Sequence, residues 1–188
     1  STAATMAVSM AGEAMGQGRY RDAIELYKIV DKYYKKSPFY ASALSNLGLC
    51  YDKIGDRQAA IETLTRYLSA EKNDLRRMQV QMNLAKLYQK EGLEILENAG
   101  TNTVAEAVEA EYKRGTVQMI RGIKEFLKFA GEAKAKLADP GVPEKEKKSY
   151  TQVREGALYL AGDCYSRISK PDSYVEKCRR DAVKILEE

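Results

Sequence analysis

The chain has 188 residues, 44% hydrophobic and 31% charged, enough to bury a core and too apolar for a disordered segment. Its 31 basic and 27 acidic side chains leave a net charge of +4 and are mixed along the sequence, whereas a nucleic-acid surface wants a one-signed stripe. There is no histidine, which removes Ser-His-Asp and Cys-His arrangements and the commonest metal ligand, and no apolar run nears the ~18 residues of a membrane span.

Only four prolines interrupt the sequence, and β-branched runs alternating with period two are missing, so the fold class is all-α. Residues 4–37 read as a first helix pair. Ala7, Met10, Ala11 and Ala14 lie on one helix, Gly18 makes the turn, and Tyr20, Ala23, Ile24, Tyr27 and Val30 lie on the next. Gly12 and Gly16 each weaken the first helix by up to about 1 kcal/mol relative to alanine, and close packing against a neighbour is their expected cause, ahead of a site where a ligand approaches.

After the linker Ser37-Pro38-Phe39-Tyr40-Ala41, residues 41–74 show the pattern best. Leu44, Leu47, Gly48 and Tyr51 share one helix, Gly55-Asp56 turns the chain, and Ala60, Ile61, Leu64, Tyr67 and Leu68 share the other. The same letters return in the third pair, residues 78–138. Asn46, Leu47, Gly48 and Tyr51 are echoed by Asn83, Leu84, Ala85 and Tyr88, an offset of 83 − 46 = 37 residues. A fixed period of this size marks helix pairs that cannot bury their apolar faces alone and stack on copies of themselves.

In the third pair the second helix is displaced to Gly122, Ile123, Phe126 and Phe129. Tyr51 to Ile61 spans 10 residues and Tyr88 to Ile123 spans 35, so 35 − 10 = 25 residues are inserted, at about 93–117. Leu93 and Leu96 continue one helix, Ala99 to Thr103 is a turn, and Val104, Val108, Tyr112 and Met119 form a stripe leading into the next. Two elongated antiparallel helices result, with a tip projecting by roughly 18 Å for about twelve extra residues per arm. Simple lengthening and a dedicated contact arm both fit.

Pro140, Gly141 and Pro143 forbid a helix through the loop from Asp139 to Glu144. The fourth pair, residues 149–188, starts its first helix near Tyr150 and offers Leu158, Ala161, Gly162 and Tyr165. A Lys170-Pro171-Asp172 turn follows, then Tyr174, Val175, Cys178 and Ala182. The three cysteines suggest neither a disulfide framework nor a zinc site; Cys50 reads as a small buried hydrophobe, while Cys164 and Cys178 could meet across a helix pair. Ser1 in place of an initiator methionine, with helical patterns reaching both ends, reads as a piece of a longer protein.

Leucine, glycine, tyrosine, alanine and an aromatic at these spacings resemble the tetratricopeptide repeat, strongly in the second pair and fairly in the others, with the insertion as the main departure. The resemblance covers essentially the whole chain. It implies one domain over residues 1–188, a right-handed superhelical array of about four helix pairs whose third is elongated. More loosely, the 37-residue period and the Ser37–Ala41 linker look like repeats of bacterial envelope proteins, such as outer-membrane assembly and Tol-associated factors. Cytoplasm and bacterial periplasm or envelope both remain open as compartments.

The resemblance also implies that the first helices of the pairs line a concave face where partner peptides lie. The exposed positions on that face would be Ser42, Ser45, Asn46, Leu49 and Lys53, then Gln79, Met82, Asn83, Lys86 and Lys90. Tyr159, Asp163 and Arg167 follow from the fourth pair. Asn46 and Asn83 occupy equivalent places; an amide there donates to and accepts from an extended backbone in several peptide-binding members, or else ties neighbouring helices together. Lys53, Lys86 and Lys90 favour an acidic ligand. The carboxylate clamp of some co-chaperones is missing, since its places hold Val8, Gly12, Gln79 and Asn83.

The expected function is a non-catalytic adaptor for a peptide or partner protein, without cofactor, metal, nucleic acid or membrane insertion. The alternative is an assembly module of a larger complex or homo-oligomer, docking through the long hairpin of residues 93–137 or the repeat ends.

Overall fold

A computed structural model describes residues 2–99, 101, 105–168, 176 and 180. Seven α-helices lie among them: α1 Thr2–Gly16, α2 Tyr20–Tyr33, α3 Tyr40–Lys53, α4 Arg57–Ala70, α5 Asp74–Ala99, α6 Ala105–Ala138 and α7 Glu144–Arg167. The chain is all-α, and its helices pack in sequence as repeat-like pairs. Two compact units divide it, Ser1–Val80 and Gln81–Glu188.

In the first unit α1 packs on α2, α2 on α3 and α3 on α4. The turns follow the sequence. Gly55 takes a left-handed φ of 83° that a side chain would strain, and the Asp56 carboxylate then accepts the Ala59 N–H at 3.1 Å to cap α4, a contact worth about 1 kcal/mol. Between α4 and α5, Glu71 accepts the N–H groups of Lys72 and Asn73 at 2.9 Å each, and Asn73 accepts that of Arg76 at 3.0 Å. The Asn73 N–H, followed by the Tyr67 hydroxyl, holds the Glu71 carboxyl below its ordinary pKa; burial and the nearby carboxylate push the Tyr67 phenol up to about 12.

Ala11 and Ala14 of α1, Ala23, Ile24, Tyr27 and Val30 of α2, and Ala43, Leu47 and Cys50 of α3 form one buried cluster. On its other side α3 meets α4 so closely that a methyl on Gly48 would lie 2.5 Å from Leu64 Cδ2. Two expectations change here. Met10 holds the place of Leu47 37 residues earlier, yet it is 53% exposed where Leu47 is 1%, because α2 covers that side of α3 and no described helix does the same for α1. Gly12 and Gly16 are not forced by packing: an added Cβ would meet only Tyr27 Oη at 4.0 Å in the first case and nothing in the second.

α5 has 26 residues and α6 34, so the stretches 93–99 and 105–117 of the expected insertion are helical. The hairpin is pressed together at two levels. Gly122 of α6 meets Ala85 of α5, its added Cβ 3.1 Å from the Ala85 carbonyl; this mirrors the Gly48–Ala60 crossing with the glycine moved to the other helix. Farther out, Gly92 faces Gly115, and a Cβ on either would lie within 3.1 Å of the other's carbonyl oxygen. Met119, Ile123, Phe126 and Phe129 fill the buried face of α6, the two phenylalanine rings meeting edge-on at 6.0 Å.

At the tip, α5 ends at Ala99 and the Thr101 N–H bonds the Asn98 carbonyl at 3.0 Å; the rest of the expected turn, with Val104, lies outside the described residues. The Pro140–Pro143 loop stands, but α7 starts at Glu144, directly after Pro143, and not near Tyr150. Pro143 fits there because a residue just ahead of the first helical turn has no intrahelical N–H bond to lose. The Lys170-Pro171-Asp172 turn, the fourth pair's second helix and Cys178 lie outside the described residues.

Candidate interaction faces

In the first unit α3 exposes Ser42 and Lys53 and half-buries Ser45, Asn46 and Leu49. Lys53 sits in the last turn of α3, where a cation complements the negative end of the helix dipole. Asn46 Nδ2 donates to Tyr27 Oη at 3.0 Å. Tyr27 is fully buried, and that burial raises its phenol pKa, with the Asn46 bond pulling the other way. One of the two amide N–H groups of Asn46 therefore ties α3 to α2.

Asn83 is half-buried on α5. The residue 37 places after Tyr27 is Leu64, so the next repeat has no hydroxyl in the place that engages Asn46. The two asparagines share a register position without sharing that bonding group. Gln79, also on α5 but within the first unit, is exposed.

In the second unit α5 and α7 run side by side. Gly156 has Met82 Cε 3.7 Å from its would-be Cβ, and Gln89 Nε2 donates to Asp163 Oδ2 at 2.9 Å. Both pairs advance by seven residues, 89 − 82 and 163 − 156, which makes the helices parallel. Asp163 also accepts Arg167 Nε at 2.9 and 3.0 Å, so these two expected site residues pair with each other and Asp163 is shared with Gln89. Lys86 and Lys90 are exposed on α5, and Lys90 has a partner within the chain. Tyr159, one turn before Asp163, is 76% exposed.

Gln89 was missed from sequence although it stands seven residues after Met82, on the same face of α5. Its partner is 74 residues away and carries no mark of the contact. Among the described residues neither Cys50 nor Cys164 offers a nucleophile: both are buried, and burial raises both thiols, Cys164 to about 12, so they stay protonated at neutral pH. Among the described residues no three His, Cys, Asp or Glu side chains are grouped to hold a metal ion, and no helix is long and apolar enough to cross a membrane.

Residues 14–87 match the family model of the tetratricopeptide repeat. The matched stretch runs from the end of α1 into α5 and contains both Asn46 and Asn83. This repeat generally serves as a protein–protein interaction module. No curated protein matches the chain.

Proposed function

We propose that this chain, with its tetratricopeptide repeat sequence over residues 14–87, is a non-catalytic module that binds an extended peptide or partner protein along the first helices of its pairs. The observation that carries this reading is the parallel α5–α7 face with Tyr159 76% exposed beside it. A tyrosine offers a large, stiff contact area at low entropic cost, which is why it recurs as an interface anchor. Lys86 and Asn83 on α5 add a cation and an amide for a ligand's carboxylates and backbone. Asn46 carries less of the reading than Asn83, because Tyr27 already takes one of its donors.

The test is a pull-down from source extract with the wild type and a Tyr159→Ala/Lys86→Glu variant, helicity being checked by circular dichroism. The variant is expected to lose the partner while melting like the wild type, since an anchor of this kind is worth about 2 kcal/mol or more, roughly thirtyfold in affinity. Undiminished capture by a folded variant would sink the reading.

The Gly92–Gly115 crossing favours a second reading, an assembly module that docks through the α5–α6 hairpin. Backbones held this close make a stiff arm, and Val117 is 42% exposed on it. Replacing residues 93–117 by a short turn should then abolish complex or oligomer formation measured by light scattering. An assembly indifferent to the deletion reduces the arm to mere length.

A further inference from the structure

A pocket of about 490 Å³ lies at the junction of α2 and α3, lined by residues 32–38. We infer that it docks an acidic, extended peptide segment, at a place separate from the first-helix faces. Three of its seven lining residues, Lys32, Lys35 and Lys36, are cationic, and none is acidic. The adjacent carboxylate does not cancel them. Both oxygens of Asp31 are held by Arg66 Nη1, at 3.0 and 2.8 Å, and Tyr40 Oη donates to one of them at 3.1 Å. The charge of the pocket is thus left for a ligand.

The loop is already shaped. The Tyr34 N–H bonds the Val30 carbonyl at 2.9 Å, the Ser37 N–H bonds the Tyr34 carbonyl at 2.8 Å, and Ser37 accepts the N–H groups of Phe39 and Tyr40 at 3.2 and 3.0 Å. Binding therefore pays little to order it. Tyr33 is 64% exposed, with the Lys32 ammonium 4.9 Å from its ring centroid, and it offers the aliphatic part of a glutamate or a neighbouring residue an apolar wall. A peptide fits better than a nucleic acid because the one-signed charge is confined to a single short loop. Phosphate backbones draw their affinity from cations spread along a stripe, and elsewhere this sequence mixes its signs.

The full chain can be titrated into a fluorescent decapeptide alternating glutamate and alanine, with the same peptide carrying glutamine for glutamate and a decamer of single-stranded RNA as the other arms. The glutamate peptide should bind, more weakly as salt is raised. An exposed ion pair is worth up to about 1 kcal/mol, or about fivefold, so Lys32→Gln/Lys35→Gln/Lys36→Gln should lose about tenfold or more, and Tyr33→Ala severalfold. Lys124→Gln/Lys145→Gln/Lys148→Gln removes equal charge from exposed sites elsewhere and should change affinity less than about twofold. The inference is overturned if the pocket variant, folded by circular dichroism, binds like the wild type, or if the distant triple loses as much. Equal binding of the glutamine peptide, or tighter binding of the RNA, overturns it as well. Lys86 also offers a cation to carboxylates, so every arm is repeated in the Tyr159→Ala/Lys86→Glu background, where a loss at the pocket is read without the first-helix face and the two sites stand or fall separately.

Discussion

Replacing Gly92 by alanine tests whether the inserted hairpin is one tightly pressed body. Alanine in a helix interior is favoured over glycine by about 1 kcal/mol, and Gly131 of α6 should deliver that gain in full, being exposed with nothing within 4 Å of an added Cβ. At Gly92 the same methyl would lie 2.6 Å from Met119 Cγ and 2.9 Å from the Gly115 carbonyl oxygen. Met119 is fully buried and cannot swing into solvent, and the carbonyl belongs to the backbone of α6. The two helices must part by several tenths of an ångström, and overpacking of this kind costs about 1–3 kcal/mol. Set against the propensity gain, Gly92→Ala should lose about 0–2 kcal/mol, placing it about 1–3 kcal/mol below Gly131→Ala. At roughly 2–4 °C per kcal/mol for a chain of this size, thermal melts followed by circular dichroism should separate the two by several degrees. Hydrogen exchange should show faster opening of α5 and α6 amides in Gly92→Ala alone. A Gly92→Ala protein that melts with or above Gly131→Ala would refute the close approach, and the stiff-arm reading with it.

Asn46→Ala removes the partner of the buried Tyr27 hydroxyl and should cost about 1–3 kcal/mol in denaturant unfolding. Adding Tyr27→Phe should then cost little, because the stranded hydroxyl goes with it; strict additivity of the two changes would mean that no bond links them. The Glu71 carboxyl, whose native pKa is depressed, contributes stability that is fully present above its ordinary value of 4.5 and lost as pH falls through the native value. The advantage of the wild type over Glu71→Gln in melting temperature should accordingly hold at neutral pH and shrink below about pH 4.5. A gap that stays constant down to acid pH would show that the carboxylate's charge has no part in the turn.

The helix pairs, the Gly55-Asp56 turn and the small residues of Gly48, Ala85 and Gly122 could be read directly. Helix, turn and close crossing depend on spacing and side-chain size within a short stretch, and such properties are written locally. Only the tertiary structure decided what those residues touch. Leu47 and Met10 hold the same letter of the repeat, but one is covered by α2 and the other is not, so equal sequence positions differ in burial. Asn46 and Asn83 look alike in sequence, and only packing shows Tyr27 Oη taking one of the Asn46 donors. Asp163 and Arg167 looked available for a ligand, but they pair with each other and Asp163 also accepts from Gln89. Asp31 is spent on Arg66 across 35 residues, which is what leaves Lys32, Lys35 and Lys36 with net charge. A hydrogen bond or ion pair is set by which helix faces meet, and that pairing is a property of the packed chain, not of the period.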